Sequence, residues 1–353
     1  MIQGLQGLSQ TLLLPSYYLF IAKRMPKLTF KGSTYILNKY ETVLDCLLRH
    51  QQAVPYACKA GTCQACLVKA VNCETTPESR KWIKQSLQDQ GYTLACQWVP
   101  DTDIEASLPT MTEFAVATSL RSMEPLNDNT LRVIVDVADK AAMFHYYPGQ
   151  YVTLINPNGI ARSYSVANDY EQDQYLEFHI NDTAHGVFTG WLFNEAAEGA
   201  TLHMRGPYGD CHYSNSSGED FPMILAGLGT GLAPLYGILN DALKHGHKGE
   251  IHLFHGGRTT DQLYYQEELE NIQAQHEQFH YHPCLKEEGS PVEDVVDQTL
   301  DMGSLNRTRA YLCGAPDFVH GLRKQIFLKG ASSGNIFCDP FLERSVAPTG
   351  GTK

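Results

Sequence analysis

The chain's 353 residues are enough for two or three domains, and 43% hydrophobic with 19% charged side chains describes a globular protein without repeats or low-complexity tracts. A net charge of -12 argues against a nucleic-acid surface, which needs clustered Lys and Arg against phosphate. The acidity is uneven: residues 25–110 carry nine cationic and eight acidic side chains, so the negative excess lies in residues 111–353. The first segment could therefore dock on an acidic surface, although ordinary surface variation gives the same balance.

Residues 11–22, TLLLPSYYLFIA, form a twelve-residue apolar run broken by Pro15 and followed by Lys23 and Arg24. That is too short to span a bilayer, and an export signal carries its positive charge ahead of the apolar stretch. We expect no transmembrane span and no export, with translation starting at Met25 or, alternatively, a peripheral anchor. From Lys27, LTFKGSTYILN reads as a hairpin interrupted at Gly32 and Ser33. Residues 41–49 read as a helix whose Val43, Leu44, Leu47 and Leu48 form one stripe.

The next segment, VPYACKAGTCQAC, spaces Cys58, Cys63 and Cys66 by four and two residues, and Cys96 follows after twenty-nine intervening residues. This is the plant-type spacing of a 2Fe-2S site, three thiolates on one loop and a distant fourth. Gly61 stands where the loop must turn most sharply. Zinc would favour two short Cys pairs, and disulfides an oxidising compartment, so neither matches the pattern. Cys46, Cys73, Cys211, Cys284, Cys313 and Cys338 do not repeat the spacing and read as small hydrophobes in a reducing cytoplasm. YACKAGTCQAC together with LACQ resembles the plant-type ferredoxin domain, which implies a β-grasp fold over residues 25–108.

Residues 108–112 read as a linker, and the strand-like runs FAVATSL, TLRVIVDV and QYVTLIN suggest an antiparallel β-barrel. Then come PGQY at 148–151, RSYS at 162–165, HGVFT at 185–189 and GPYG at 206–209. Any one could be an ordinary strand or turn. In this order they resemble the FAD domain of the ferredoxin–NADP reductase superfamily. The resemblance implies Arg162 at the pyrophosphate, Tyr164 against the flavin ring and Ser165 near the hydride-accepting N5, with Ser163 also binding the cofactor. It also places His179 at the cofactor, and Gly186, Val187 and Thr189 at a helix start facing the second phosphate.

At Phe221 the period changes. The apolar PMILAG leads into LGTGLAP and a helix to His245, and the unit recurs as EIHLFHG, DQLYYQEELENIQAQ, QFHYHPC and RAYLCGAP. This is a doubly wound parallel pattern. Gly227, Gly229 and Gly231 alternate, and no acidic residue ends the second strand, so the loop alone is a weak dinucleotide signature. GLGTGLAP with YLCGAP resembles the NAD(P) domain of the same superfamily. That implies Gly229, Thr230, Gly231, Cys313 and Gly314 around the nicotinamide, a buried strand residue being the alternative for Cys313. His245, His247, His252 and His255 read as surface or satisfied histidines rather than metal ligands.

NADH is expected over NADPH. Residues 282–286 offer no arginine to a 2'-phosphate, and Arg258, which could reach one, is expected to be held by Asp261. Phe341 is expected over the flavin face, with Phe337 as the alternative. The fold class is multidomain α+β and α/β: a 1–24 extension, a ferredoxin domain 25–108, a flavin domain 113–216, a nucleotide domain 220–343 and a tail 344–353. The module order resembles reductase components of bacterial multicomponent oxygenases. That implies a monomeric cytoplasmic enzyme carrying electrons from NADH through FAD to 2Fe-2S and on to an oxygenase or other protein acceptor, with Ser165, Thr230 and Cys313 catalytic. A flavin or ferric reductase and a redox-sensing module are the competing readings.

Overall fold

The computed structural model describes residues 24–341 apart from 84, 110–114, 138–145, 184–185, 216–217, 219 and 301–304. The apolar run at 11–22, His185, most of the expected linker and the tail 344–353 therefore lie outside the described residues. Among those described, no helix is long and apolar enough to cross a membrane.

The first unit is a mixed sheet. Strands β1 (Lys27–Phe30) and β2 (Ser33–Ile36) pair antiparallel across a turn at Lys31 and Gly32, one residue earlier than the sequence suggests. Helix α1 (Val43–Arg49) begins where the Thr42 hydroxyl accepts from the Asp45 amide at 3.0 Å, and it buries Val43, Leu44, Cys46 and Leu47. Then follow β3 (Leu67–Ala70), short helices α2 (Pro77–Arg80) and α3 (Gln85–Gln88), β4 (Tyr92–Leu94) and β5 (Ile104–Ser107). The strand order is β2-β1-β5-β3-β4, with β1 parallel to β5, over a core that includes Phe30, Leu44, Tyr92 and Trp98.

The second unit is an antiparallel sheet of six strands: β6 (Val116–Asn127), β7 (Thr130–Val137), β8 (Tyr151–Ile155), β9 (Ala161–Ser165), β10 (Leu176–Asn181) and β11 (Thr201–Tyr208). They run in the order β10-β7-β6-β11-β8-β9. Helices α4 (Tyr170–Asp173) and α5 (Val187–Asn194) sit between strands, and α5 drives Phe188, Trp191 and Leu192 into the core.

The third unit is wholly parallel. Strand β12 (Met223–Leu228) leads through α6 (Leu232–Lys244) to β13 (Ile251–Gly257), then α7 (Gln266–Gln275), β14 (Phe279–Leu285), α8 (Val292–Thr299), β15 (Arg309–Gly314), α9 (Pro316–Leu328) and β16 (Ile336–Pro340). The order β14-β13-β12-β15-β16 reverses between β12 and β15, which opens a ligand crevice at their carboxyl ends. Both faces are apolar and covered. The helix expected over 261–275 begins only at Gln266, because Tyr265 is left-handed (φ 59) and the fully desolvated Tyr264 is committed to the neighbouring unit.

Candidate functional site

The cysteine loop turns through left-handed backbone at Lys59, Gly61 and Gln64 (φ 54, 86 and 51). A Cβ on Gly61 would also lie 3.1 Å from the side chains of both Gln97 and Trp82, a tight fit on top of the turn that requires glycine. The sulfurs fall into two pairs, Cys58 with Cys63 and Cys66 with Cys96. Within each, one thiol donates to the other. The bond from Cys63 lowers Cys58 to about 4 while Cys63 is pushed up, and by the same exchange Cys96 is lowered and Cys66 raised. Amides of Ala60 and Cys63 also donate to the Cys58 sulfur at 3.3 and 3.4 Å. Two pairs, each able to present thiolate and ringed by N–H donors, fit a cluster in which each iron takes two cysteines.

This loop rests on the second unit. Tyr151 donates its hydroxyl to the Thr62 carbonyl at 3.0 Å, and Thr153 donates to the Cys63 carbonyl at 3.3 Å. Beside these bonds Cys63 and Ala65 pack on Ile155 and Ala161. Strand alternation divides β9 between two tasks: Ala161 and Ser163 share the face toward the loop, Ser163 lying 3.1 Å from Thr153, while Arg162 and Tyr164 take the other. Tyr164 lies 5.4 Å from Phe188 ring to ring. Arg162 is half-buried, with only the Ala161 carbonyl as a hydrogen-bond partner among the described residues, and burial lowers its pKa. Helix α5 starts at Gly186 with no side-chain cap, Val187 exposed and Thr189 bonded back to the Gly186 carbonyl. A cation short of an anion and an uncapped helix start fit a dinucleotide pyrophosphate.

Ser165 ends β9 and donates to Asp339 Oδ2 at 2.7 Å. Burial raises the Asp339 carboxyl to about 6 against the lowering pull of that bond. Asp339 was not singled out in the sequence; only the pairing of β15 with β16, which sets it beside Cys313, brings it to Ser165. At the crevice, a turn Gly229–Gly231 carries half-buried Thr230 into the uncapped start of α6. A Cβ on Gly231 would be 2.4 Å from the Cys313 carbonyl, so this loop lies directly on the end of β15. The Cys313 thiol is fully buried, 3.7 Å from Cys211, and Gly314 accepts from the Phe341 amide at 2.7 Å. Phe341 is thus at the crevice end of the sheet, packed partly on the core.

Three expectations change. Ser163, expected at the cofactor, turns its side chain to the cysteine-loop face, because strand alternation sets it opposite Arg162 and Tyr164. His179, expected at the cofactor, has both nitrogens engaged within the protein: Nε2 with Glu177 and Nδ1 with the Tyr264 hydroxyl, each at 3.0 Å. Arg132 at 2.6 Å and Tyr265 at 2.9 Å complete the shell of Glu177, so the group joins the second unit to the third. Arg258 pairs with Glu287 at 2.8 Å rather than with Asp261, because the turn after β14 comes alongside the end of β13.

Residues 29–101 match the 2Fe-2S iron-sulfur cluster binding domain, 117–213 the oxidoreductase FAD-binding domain and 224–324 the oxidoreductase NAD-binding domain. Over 306 residues the chain is 33% identical to the reductase subunit of an aromatic O-demethylase from an Amycolatopsis species, covering 79% of this chain and 87% of that one. The chain belongs to the ferredoxin–NADP reductase superfamily, among the reductase components of oxygenase systems. A second member is the ferredoxin–NAD(P)+ reductase component of a naphthalene 1,2-dioxygenase system from Pseudomonas putida, 31% identical over 314 residues, with 85% and 93% covered. The crystal structure of an Amycolatopsis cytochrome P450 reductase superposes with a TM-score of 0.63 at 28% identity, covering 90% of this chain and 98% of that one. This superfamily member is an oxidoreductase with 2Fe-2S, FAD and NAD-binding domains.

Proposed function

We propose that this reductase takes hydride from NADH and delivers single electrons through its cysteine loop to an oxygenase component. Bound flavin supplies the conversion of a two-electron donor into one-electron steps, and a cluster relays them. The observation that carries the reading is the bond from Thr153 to the Cys63 carbonyl, which seats the cysteine loop on the strand next to the one bearing Arg162, Tyr164 and Ser165. The six-stranded sheet would be the flavin barrel and the mixed sheet the β-grasp.

Each side chain then has a task. Arg162 and the open N–H groups of α5 hold pyrophosphate, Tyr164 offers its ring to the flavin, and Ser165 with Asp339 Oδ2 can hold a proton beside the reacting edge. The glycine turn and Gly314 let backbone approach the nicotinamide. Buried Arg205, opposite Thr153 in the register and with Nε unpartnered, places positive charge behind the seam, which favours an added electron there.

NADH is the expected donor because Arg258, the cation that could meet a 2'-phosphate, already pairs with Glu287, and Glu288 adds a second carboxylate to the same turn. Comparable kcat/KM with NADPH would overturn that preference. For the electron path, Cys63→Ala should lose the cluster yet keep flavin and NADH-to-ferricyanide turnover, while reduction of cytochrome c and support of an oxygenase collapse. Persistence of both at wild-type rates without the cluster would instead mark direct release from flavin, the flavin or ferric reductase reading.

A further inference from the structure

At the opposite end of the parallel sheet, neighbouring strands β13 and β14 place His252 directly across from His280, and Phe254 across from His282. Strand period two keeps Glu250 and His252, and likewise His280 and His282, on one face. The result is a compact cluster. His252 lies 4.8 Å from His280 and 5.3 Å from His282 ring to ring, and donor atoms of Glu250, His252 and His280 all fall within 4.8 Å of one another. His280 Nε2 is 2.5 Å from Glu250 Oε2, and His252 Nδ1 is 3.0 Å from His282 Nε2.

We propose that Glu250, His252 and His280 form a zinc-binding site that clips edge strand β14 to β13, with water in the fourth position. The donor set is the two-imidazole, one-carboxylate type that suits a borderline ion. Zinc bonds of about 2.0–2.2 Å set tetrahedral donors roughly 3.4 Å apart, which side-chain rotation alone can reach from the present spacing. Side chains 40% and 60% exposed at His280 and Glu250 leave the ion a way in. The bond to His282 engages one nitrogen of His252 and leaves the other for the metal, so His282 is a positioning residue. Five residues of strand, roughly 16 Å, separate His252 from the crevice end of β13, so the ion stabilises the nucleotide unit and takes no part in hydride transfer.

The test uses the untagged holoprotein with its iron and flavin content measured, so that zinc in the cysteine loop is recognised as lost iron. Equilibrium dialysis against zinc chloride should show one zinc per chain with iron unchanged, and thermal unfolding should move upward with zinc concentration. His252→Ala and His280→Ala should each weaken binding by more than ~100-fold, and His282→Ala by ~10 to 100-fold. The distant exposed His320→Ala should bind as the parent does. Should the histidine variants fail to fold, Glu250→Gln at a largely exposed side chain gives the same reading. Absence of stoichiometric uptake, or unchanged affinity in His280→Ala or Glu250→Gln, overturns the proposal.

Discussion

The second unit meets its two neighbours through seams of different character. Against the cysteine loop it uses two neutral hydroxyl-to-carbonyl bonds and four small or aliphatic side chains. Against the nucleotide unit it uses a buried ionic group in which Glu177 is shared among Arg132, His179 and Tyr265. The contrast follows from what must cross each seam. An electron needs only proximity, whereas hydride needs its donor carbon and acceptor nitrogen at a fixed angle and near contact. Tyr265 reaches that charge and Tyr264 reaches His179 from across the seam, and these two directed bonds to buried partners tolerate little sliding.

The largest effect should come from breaking the ionic seam. Glu177→Gln removes the buried carboxylate from Arg132, leaving it only the exposed Glu124 at 3.3 Å, and should cost on the order of 3 kcal/mol, read as a lower thermal midpoint together with slower flavin reduction by NADH. Burial pushes the Glu177 carboxyl up, but bonds from His179 and Arg132 outweigh it and hold it at about 2. A carboxyl depressed in the folded state adds stability above its ordinary pKa and loses it as pH falls toward 2. The parent should therefore weaken between about pH 4.5 and 2 more steeply than the variant, as denaturant midpoints across that range would show.

A smaller effect is expected at the crevice. Asp339, raised to about 6, binds its proton more tightly folded than unfolded, so its contribution to stability is full at low pH and declines as pH rises toward 6. Flavin reduction by NADH should show an inflection near that value, and Asp339→Asn should remove it; an unchanged stopped-flow pH profile would place the proton elsewhere. The electron seam should yield least. Thr153→Val removes two neutral bonds, one to the Cys63 carbonyl across the seam and one to Ser163, each worth about 0.5–1.5 kcal/mol. It should slow cytochrome c reduction several-fold while ferricyanide reduction from flavin stays at the parent rate, and equal slowing of both would show that Thr153 supports the flavin unit itself.

What the sequence disclosed, and what it hid, divides by distance along the chain. The cysteine spacing, RSYS and the glycine turn are local patterns, each complete within a few residues, and the parallel unit announces itself by alternating apolar strands and helices. Asp339 stays hidden because its partner Ser165 is 174 residues away, and a carboxylate before proline in a closing strand carries no local signal. The misplacement of His179 has the same cause, since Tyr264 and Tyr265 reach it from another unit. His252 was judged by its sequence neighbours His245, His247 and His255. Those have backbone or tyrosine partners, whereas the imidazoles that face it arrive on β14.

Strand β9 is a partition wall one polypeptide thick, with Arg162 and Tyr164 on one surface and the cysteine loop against Ala161 and Ser163 on the other, before Ser165 ends the strand at Asp339. Substitutions on either surface can vary independently. A single inserted or deleted residue cannot, because a one-step slip would turn Arg162 and Tyr164 toward the loop and Ala161 and Ser163 toward the flavin in the same stroke. The length of this segment is consequently under tighter constraint than its composition: substitutions can retune the two redox sites separately, but a change of length here would disturb both at once.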